Sequence, residues 1–302
     1  MINKFKKMVA FEPTKLPPEW DQRLAGYARS ADFYRSIPEC NSEIIQRIGN
    51  ADCVILSYTS SIDREVLNAC PRIRYIGMCC SLYGPESANV DIRSATDKGV
   101  VVTGVRDYGD EGVKEYAISE LVRLLHGNGG VMWKDEPAEL TDLNIGIVGL
   151  GAVGSILART FRFFGANIYY FSRTRKPEFE EANDCTYLPL DELLAQSEIL
   201  ITCLNKNVVL LGAREFGLFG SGKILMNTSI SPSHEIPALR DWLKTSGNYV
   251  LSDTTAGLGE EIALLPNAFC TSRSAGLTSL AKQRLAQKVI ANIEAFLSVS
   301  IE

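Results

Sequence analysis

Three glycines carry the first chemistry in this chain. Gly149, Gly151 and Gly154 stand in G-x-G-x-x-G spacing within residues 144–176, NIGIVGLGAVGSILARTFRFFGANIYYFSRTRK. An apolar run from Ile145 to Val148 precedes them, interrupted only by Gly146. Ile156, Leu157, Phe161 and Phe164 follow at helical spacing, Gly165 ends the helix, and Ile168 to Phe171 is a second apolar run. Strand, turn, helix and strand in this order are the context in which such glycines bind a dinucleotide. Gly149 permits the tight turn, Gly151 lets a pyrophosphate approach the backbone, and Gly154 lets the helix pack on the strand. The helix N-terminus offers unpaired N–H groups and a partial positive charge to the phosphates.

The end of the second strand selects among dinucleotides. An NAD site has an Asp or Glu about twenty residues beyond the motif, bonded to the ribose 2′-hydroxyl. Here that place holds Ser172, followed by Arg173, Thr174, Arg175 and Lys176. A carboxylate repels a 2′-phosphate, whereas a hydroxyl beside guanidinium groups binds it through charge-assisted hydrogen bonds. The expected cofactor is therefore NADP(H). The competing reading of the same residues is a solvated basic loop.

The elements that must position these groups are legible around them. The first third alternates short apolar runs with amphipathic segments. Strands are expected at 8–11, 32–34, 53–58, 75–80 and 100–103, and helices at 19–29, 42–48, 63–70 and 91–97. A long helix is expected over 111–125, linking two domains, then a glycine-rich loop over 126–141. Beyond the motif, helices are expected at 190–195, 215–219, 236–245 and 279–297, and strands at 198–204, 224–226, 249–251 and 268–271. Such alternation implies an α/β protein with two doubly wound parallel sheets. Ligands of such sheets sit beyond the carboxyl ends of the strands. The loop 81–87, SLYGPES, occupies that position, as a substrate loop or as an ordinary surface turn.

With 302 residues, 46% hydrophobic and 22% charged, the chain has room for two sizeable cores. Its net charge of -5 argues against a nucleic-acid surface. No apolar run approaches the ~20 residues that span a membrane, and the N-terminus lacks a signal-peptide core. The eight cysteines form no C-x-x-C pair and have only two histidines for company, so no metal site is expected. Buried, reduced thiols and a cytoplasmic location follow.

From about Cys53 onward the chain resembles the D-isomer-specific 2-hydroxyacid dehydrogenases, in particular the NADP-dependent glyoxylate and hydroxypyruvate reductase branch. The resemblance rests on Asn89-Val90-Asp91, the glycine motif, Ser172-Arg173-Thr174 with Lys176-Pro177, Leu190-Asp191-Glu192-Leu193, Asn227-Thr228-Ser229, Asp253, Leu265-Pro266-Asn267 and Ala275-Gly276. It implies a Rossmann cofactor domain, 111–275, inserted in a flavodoxin-like substrate domain, 1–110 and 276–302, with the active site in the cleft. It also implies cofactor contacts at Ala152 and Val153, where the helix opens, and at Cys203, Ser229, Ile230 and Asp253, with Asp253 orienting the nicotinamide amide.

The family uses an Arg, a Glu and a His at its reacting centre. The resemblance places Ile230 where the Arg stands and Arg273, after Ser272, where the His stands; Glu260 or Glu261 matches the Glu. Arg273 stays charged at ordinary pH and so cannot donate a proton, but it can hold a carboxylate or a developing oxyanion. His234 reads as a packed or capping residue, and His126 as a cation at a helix C-terminus. Tyr83 and Tyr108 read as packed or rim residues or as proton donors. The segment 126–141 is too short for the family's dimer arm, so a monomer or an atypical homodimer is expected. Two functions fit: an NADPH-dependent oxidoreductase acting on a small anionic carbonyl or imine substrate through an altered centre, or a non-catalytic dinucleotide-binding sensor or partner-binding protein.

Overall fold

Largely apolar runs make the inner strands. Cys53–Leu56, Ile199–Thr202 and Ile224–Asn227 are buried at every position, as a parallel sheet covered on both faces requires. The computed structural model describes residues 4–271 and 273–299, so Ser272 and the residues beyond 299 lie outside the described residues. The chain divides into two units, one formed by Met1–Tyr108 with Thr278–Glu302, the other by Gly109–Leu277.

The first unit contains β1 (Phe5–Ala10), α1 (Pro18–Ala25), β2 (Ala28–Phe33), α2 (Asn41–Ile48), β3 (Cys53–Leu56), α3 (Arg64–Ala69), β4 (Tyr75–Ser81), α4 (Ile92–Asp97), β5 (Val101–Val105) and the C-terminal helix Ser279–Val299. Its five strands run in the order β2-β1-β3-β4-β5 with every pairing parallel, the flavodoxin-like order. Successive side chains serve opposite faces. Met8, Ala10, Cys53 and Ile55 pack with Trp20 and Leu24 of α1 and with Leu285, Val289, Ile293 and Leu297 of the C-terminal helix. Val9, Val54 and Leu56 pack with Ile44, Ile48, Val66 and Ala95 of the other helices.

The second unit contains α5 (Asp110–Leu125), β6 (Asn144–Val148), α6 (Ala152–Phe163), β7 (Asn167–Phe171), α7 (Pro177–Asn183), β8 (Cys185–Tyr187), α8 (Leu190–Gln196), β9 (Ile199–Thr202), α9 (Ala213–Phe219), β10 (Ile224–Asn227), α10 (Ile236–Leu243), β11 (Tyr249–Ser252), α11 (Thr255–Leu258) and β12 (Ala268–Cys270). Its seven strands run β12-β11-β10-β9-β6-β7-β8, again all parallel. The order reverses between β6 and β9, which is where such sheets open a crevice for a dinucleotide. Ile145, Ile147, Ile199 and Ile201 pack with Leu121 and Leu125 of α5 and Leu157 and Phe161 of α6. Val148, Leu200, Leu225 and Val250 pack with Leu193, Phe216 and Trp242 on the opposite face.

Several expectations need correction. The helix expected over 19–29 stops at Ala25, and β2 begins four residues earlier than expected, at Ala28. That strand is a polar sheet edge, exposed or half-exposed at every position but the first, so it lacked a strand's apolar pattern. α7, β8 and α11 were not expected; they span 7, 3 and 4 residues, too short for periodicity to register. β5 runs through Gly104 to Val105 because the sheet is tight there: a Cβ on Gly104 would lie 2.3 Å from Leu82 Cβ. The connection over residues 126–143 carries no helix or strand. It is fastened within its own unit, where the Trp133 indole donates to Gly222 O at 3.1 Å.

Candidate functional site

The site begins where β6 ends. Gly149 has φ +98°, and a Cβ there would stand 2.5 Å from Cys203 O. Only glycine meets both demands. A Cβ on Gly154 would stand 2.0 Å from Gly149 O, so the absent side chain lets the first turn of α6 press onto the glycine turn. Gly151, the residue before α6, is extended, and nothing lies within 4 Å of where its Cβ would be. The N–H groups of Ala152, Val153 and Gly154 open the helix and have no intrahelical acceptor. They face this open approach with the positive end of a 12-residue helix behind them. The residues present thus fit a dinucleotide pyrophosphate.

At the end of β7 the basic residues divide into separate tasks. The Ser172 hydroxyl donates to Thr174 O at 2.6 Å, which shapes the turn and leaves its oxygen able to accept. Arg175 does not join them. Its Nε and Nη2 each lie 2.8 Å from a carboxylate oxygen of Glu180 on α7. That fork holds the Glu180 carboxyl down at about 2, and the Tyr170 hydroxyl, donating to Glu180 at 2.8 Å, adds to the pair. The Lys176 ammonium reaches back and donates to Leu150 O, inside the glycine turn itself. Arg173 and Thr174 are exposed, and the Arg173 guanidinium has no partner among the described residues. Arg173 is therefore the uncommitted cation beside Ser172, and Lys176 stands over the turn that the phosphates would approach.

The expected reacting end gathers at the carboxyl ends of β9, β10 and β11. Cys203 N–H donates to Val148 O at 2.8 Å, and burial pushes its thiol up to about 12, so it is an inert neighbour. Asn227 is fully buried and acts as a hub. Its Oδ1 accepts from the Thr202 hydroxyl at 2.8 Å and from Ser229 N–H at 3.1 Å, and its Nδ2 donates to Gly257 O. The Ser229 hydroxyl accepts from Leu204 N–H at 2.8 Å. Ser229 is thus a fastener between two loops, and Ile230 beyond it is 62% exposed. His234 is buried away from this surface: its Nε2 lies 3.1 Å from Leu258 O, and its Nδ1 has no partner among the described residues. Burial lowers its pKa.

Asp253 holds the turn that carries Arg273. Its Oδ2 accepts from Ala275 N–H at 2.7 Å, and its carbonyl accepts from the Thr271 hydroxyl at 2.6 Å. Arg273 N–H donates back to that hydroxyl at 3.4 Å. Burial pushes the Asp253 carboxyl up, against the hydrogen bond from Ala275. Arg273 itself is exposed, and its guanidinium has no described partner. Glu261 is paired with Arg240 at 3.0 Å, whereas Glu260 is exposed and uncommitted. No hydrogen bond or ion pair joins Glu260 to Arg273 among the described residues. The fastening roles of Asn227 and Thr271 were not foreseen; their signal is a short polar side chain directly at a strand's carboxyl end.

Residues 126–254 match the profile described as D-isomer specific 2-hydroxyacid dehydrogenase, NAD binding domain. A glyoxylate reductase of Thermococcus gammatolerans is 28% identical, over 87% of this chain and 84% of its own. A hydroxypyruvate reductase of Blautia hydrogenotrophica is 27% identical, over 85% and 86%. Over these comparisons the chain is similar to the D-isomer-specific 2-hydroxyacid dehydrogenase family. Its members bind a nicotinamide dinucleotide in the domain that the profile covers. The fold also matches that of an acyclic imino acid reductase solved with NADPH and D-Arg, with a TM-score of 0.80, 21% identity and 97% of each chain covered. No helix among the described residues of the chain is long and apolar enough to cross a membrane.

Proposed function

We propose that this chain is an NADPH-dependent reductase of the 2-hydroxyacid dehydrogenase type, acting on a small carbonyl or imine substrate with an acid group. The end of β7 carries the cofactor choice: a hydroxyl at Ser172 in place of a carboxylate, with Arg173 uncommitted beside it. Each charge-assisted bond to a 2′-phosphate contributes about 1.5–3 kcal/mol, so NADPH should bind about ten- to a hundred-fold tighter than NADH. Titrating the protein with both cofactors tests this, and Ser172→Asp with Arg173→Ala should reverse the order. Equal affinities in the wild type would remove the reading.

When bound, the nicotinamide supplies the hydride. The chain's own residues would hold the partners. Asp253 orients the nicotinamide amide from a carboxyl that Ala275 N–H already fixes. Arg273, on a turn held by Thr271 and Asp253, anchors the acid group of the substrate. Glu260 rather than Glu261 is free to serve at the reacting end, since Arg240 engages Glu261. With Ile230 and Arg273 at the places the resemblance gives to the family's Arg and His, the general acid is missing, and such a group typically contributes about 10²–10⁴-fold. Glyoxylate, hydroxypyruvate and pyruvate are then poor substrates.

A second reading, a non-catalytic NADPH-binding protein, is favoured by the state of the histidine. The one histidine near these loops, His234, is committed to Leu258 O and buried. Oxidation of NADPH with a panel of 2-keto acids, aldehydes and imines separates the two. Turnover with any member supports the reductase; tight NADPH binding without turnover supports the sensor.

A further inference from the structure

We infer that the loops after β9 and β10 form a hydrocarbon-binding subsite, so that the substrate of the proposed reduction carries an apolar side chain of several carbons. This rests on the reductase reading and names its substrate class.

Ile230 is 62% exposed, Val209 54% and Val208 40%. Single exposed apolar residues are ordinary. These three are different because of how their loops are joined. β9 and β10 are neighbours in register, with Ile201 opposite Met226 and Thr202 opposite Asn227. Three of the hydrogen bonds that staple the loops leaving their carboxyl ends frame these residues. Leu204 N–H donates to Ser229 Oγ at 2.8 Å, and Asn207 N–H to Ser231 Oγ at 2.7 Å. Leu210 N–H donates to Ser233 O at 2.9 Å. Ile230 lies between the first two staples on one loop, and Val208 and Val209 lie between the last two on the other.

The turn that presents the valines is built rather than loose. Val208 N–H closes on Asn205 O at 3.3 Å, with Asn207 at φ +65°. That conformation is uncommon outside glycine and most accessible to Asn. All three side chains are β-branched, with restricted χ1, so their apolar surface has a fixed shape. It lies at the carboxyl edge of the sheet, where ligands of this architecture bind. It adjoins Ser229, which the candidate site already includes. Lys206 and Asn207, on the same turn, give it a polar rim. The occupant that fits is a hydrocarbon substituent on the substrate.

Two ladders test this on the full chain. NADPH-saturated protein is titrated with acetate, butyrate and hexanoate by calorimetry. NADPH oxidation is followed with pyruvate, 2-oxobutyrate and 2-oxohexanoate. Affinity and kcat/KM should each rise about fourfold per added methylene, mostly through KM. Val209→Ser and Ile230→Ser should each flatten the rise, with circular dichroism and melting temperature checking the fold. A retained affinity ladder without any turnover would remove the reductase reading and support the subsite. A flat ladder in the wild type, with or without turnover, would overturn the subsite, as would an unchanged ladder in both variants. A change in mass by light scattering on either substitution would assign the patch to contact with a second copy, and would also overturn it.

Discussion

His234 shows how one residue can be costly and still useful. It is 1% exposed, and it pins Leu258 O through Nε2 while Nδ1 finds no described partner. Through that bond it ties the loop bearing Ile230 to α11, which leads to Glu260. Its pKa is lowered from the ordinary 6.5 by burial. The unfolded chain therefore binds this proton more readily than the folded one, so stability present above about 6.5 is lost as pH falls toward the lower folded value. Urea unfolding at about pH 7.5 and about pH 5.5 should show the wild type weaker at the acid end, by at most about 1.4 kcal/mol per pH unit from this group. His234→Gln keeps a donor for Leu258 O and should remove most of that difference. The same pH dependence in both proteins would assign the loss to other groups.

At the scale of elements, the turn from β6 into α6 separates two kinds of glycine. A methyl on Gly154 would meet Gly149 O, which is backbone and cannot move aside, at 2.0 Å. Gly154→Ala should therefore cost about 1–3 kcal/mol or more, as overpacking does, and weaken NADPH binding by displacing the helix start. A methyl on Gly151 meets nothing. Gly151→Ala should unfold like the wild type yet bind NADPH at least tenfold more weakly, because it fills the phosphate approach. Thermal unfolding and a cofactor titration on both variants check the contrast; equal losses of stability would erase it. These glycines were readable because spacing and flanking strands agreed, as were the inner strands, whose burial on both faces makes them largely apolar. Edge elements were not. α7 and β8 are short and mostly polar, and missing them had a consequence at the site. Arg175 looked like a phosphate ligand because its partner, Glu180, lies on the unforeseen helix. Likewise the group of Ile230, Val208 and Val209 depends on hydrogen bonds between loops 24 residues apart, which no local pattern reports.

For the whole molecule, the chain's ends decide what can stand alone. The first unit is closed by a helix from the far end of the sequence. Leu285, Val289, Ile293 and Leu297 of that helix are at most 5% exposed and fill one face of the first sheet. Burying a large apolar side chain contributes about 1.5–3 kcal/mol, so four contribute on the order of 6–12 kcal/mol, comparable with the whole stability of a domain. Residues 1–108 without the C-terminal helix should therefore fail to fold cooperatively. The second unit is continuous from Gly109 to Leu277 and contains all seven of its strands. It also contains the glycine turn, Ser172, Arg173, Lys176 and Asp253. A fragment of residues 109–277 should unfold in one cooperative transition and bind NADPH within about tenfold of the full chain, since every proposed cofactor contact lies within it. Circular dichroism melting and fluorescence titration of the two fragments test this. A second fragment that folds but no longer binds NADPH would mean that the first unit supplies part of the cofactor site.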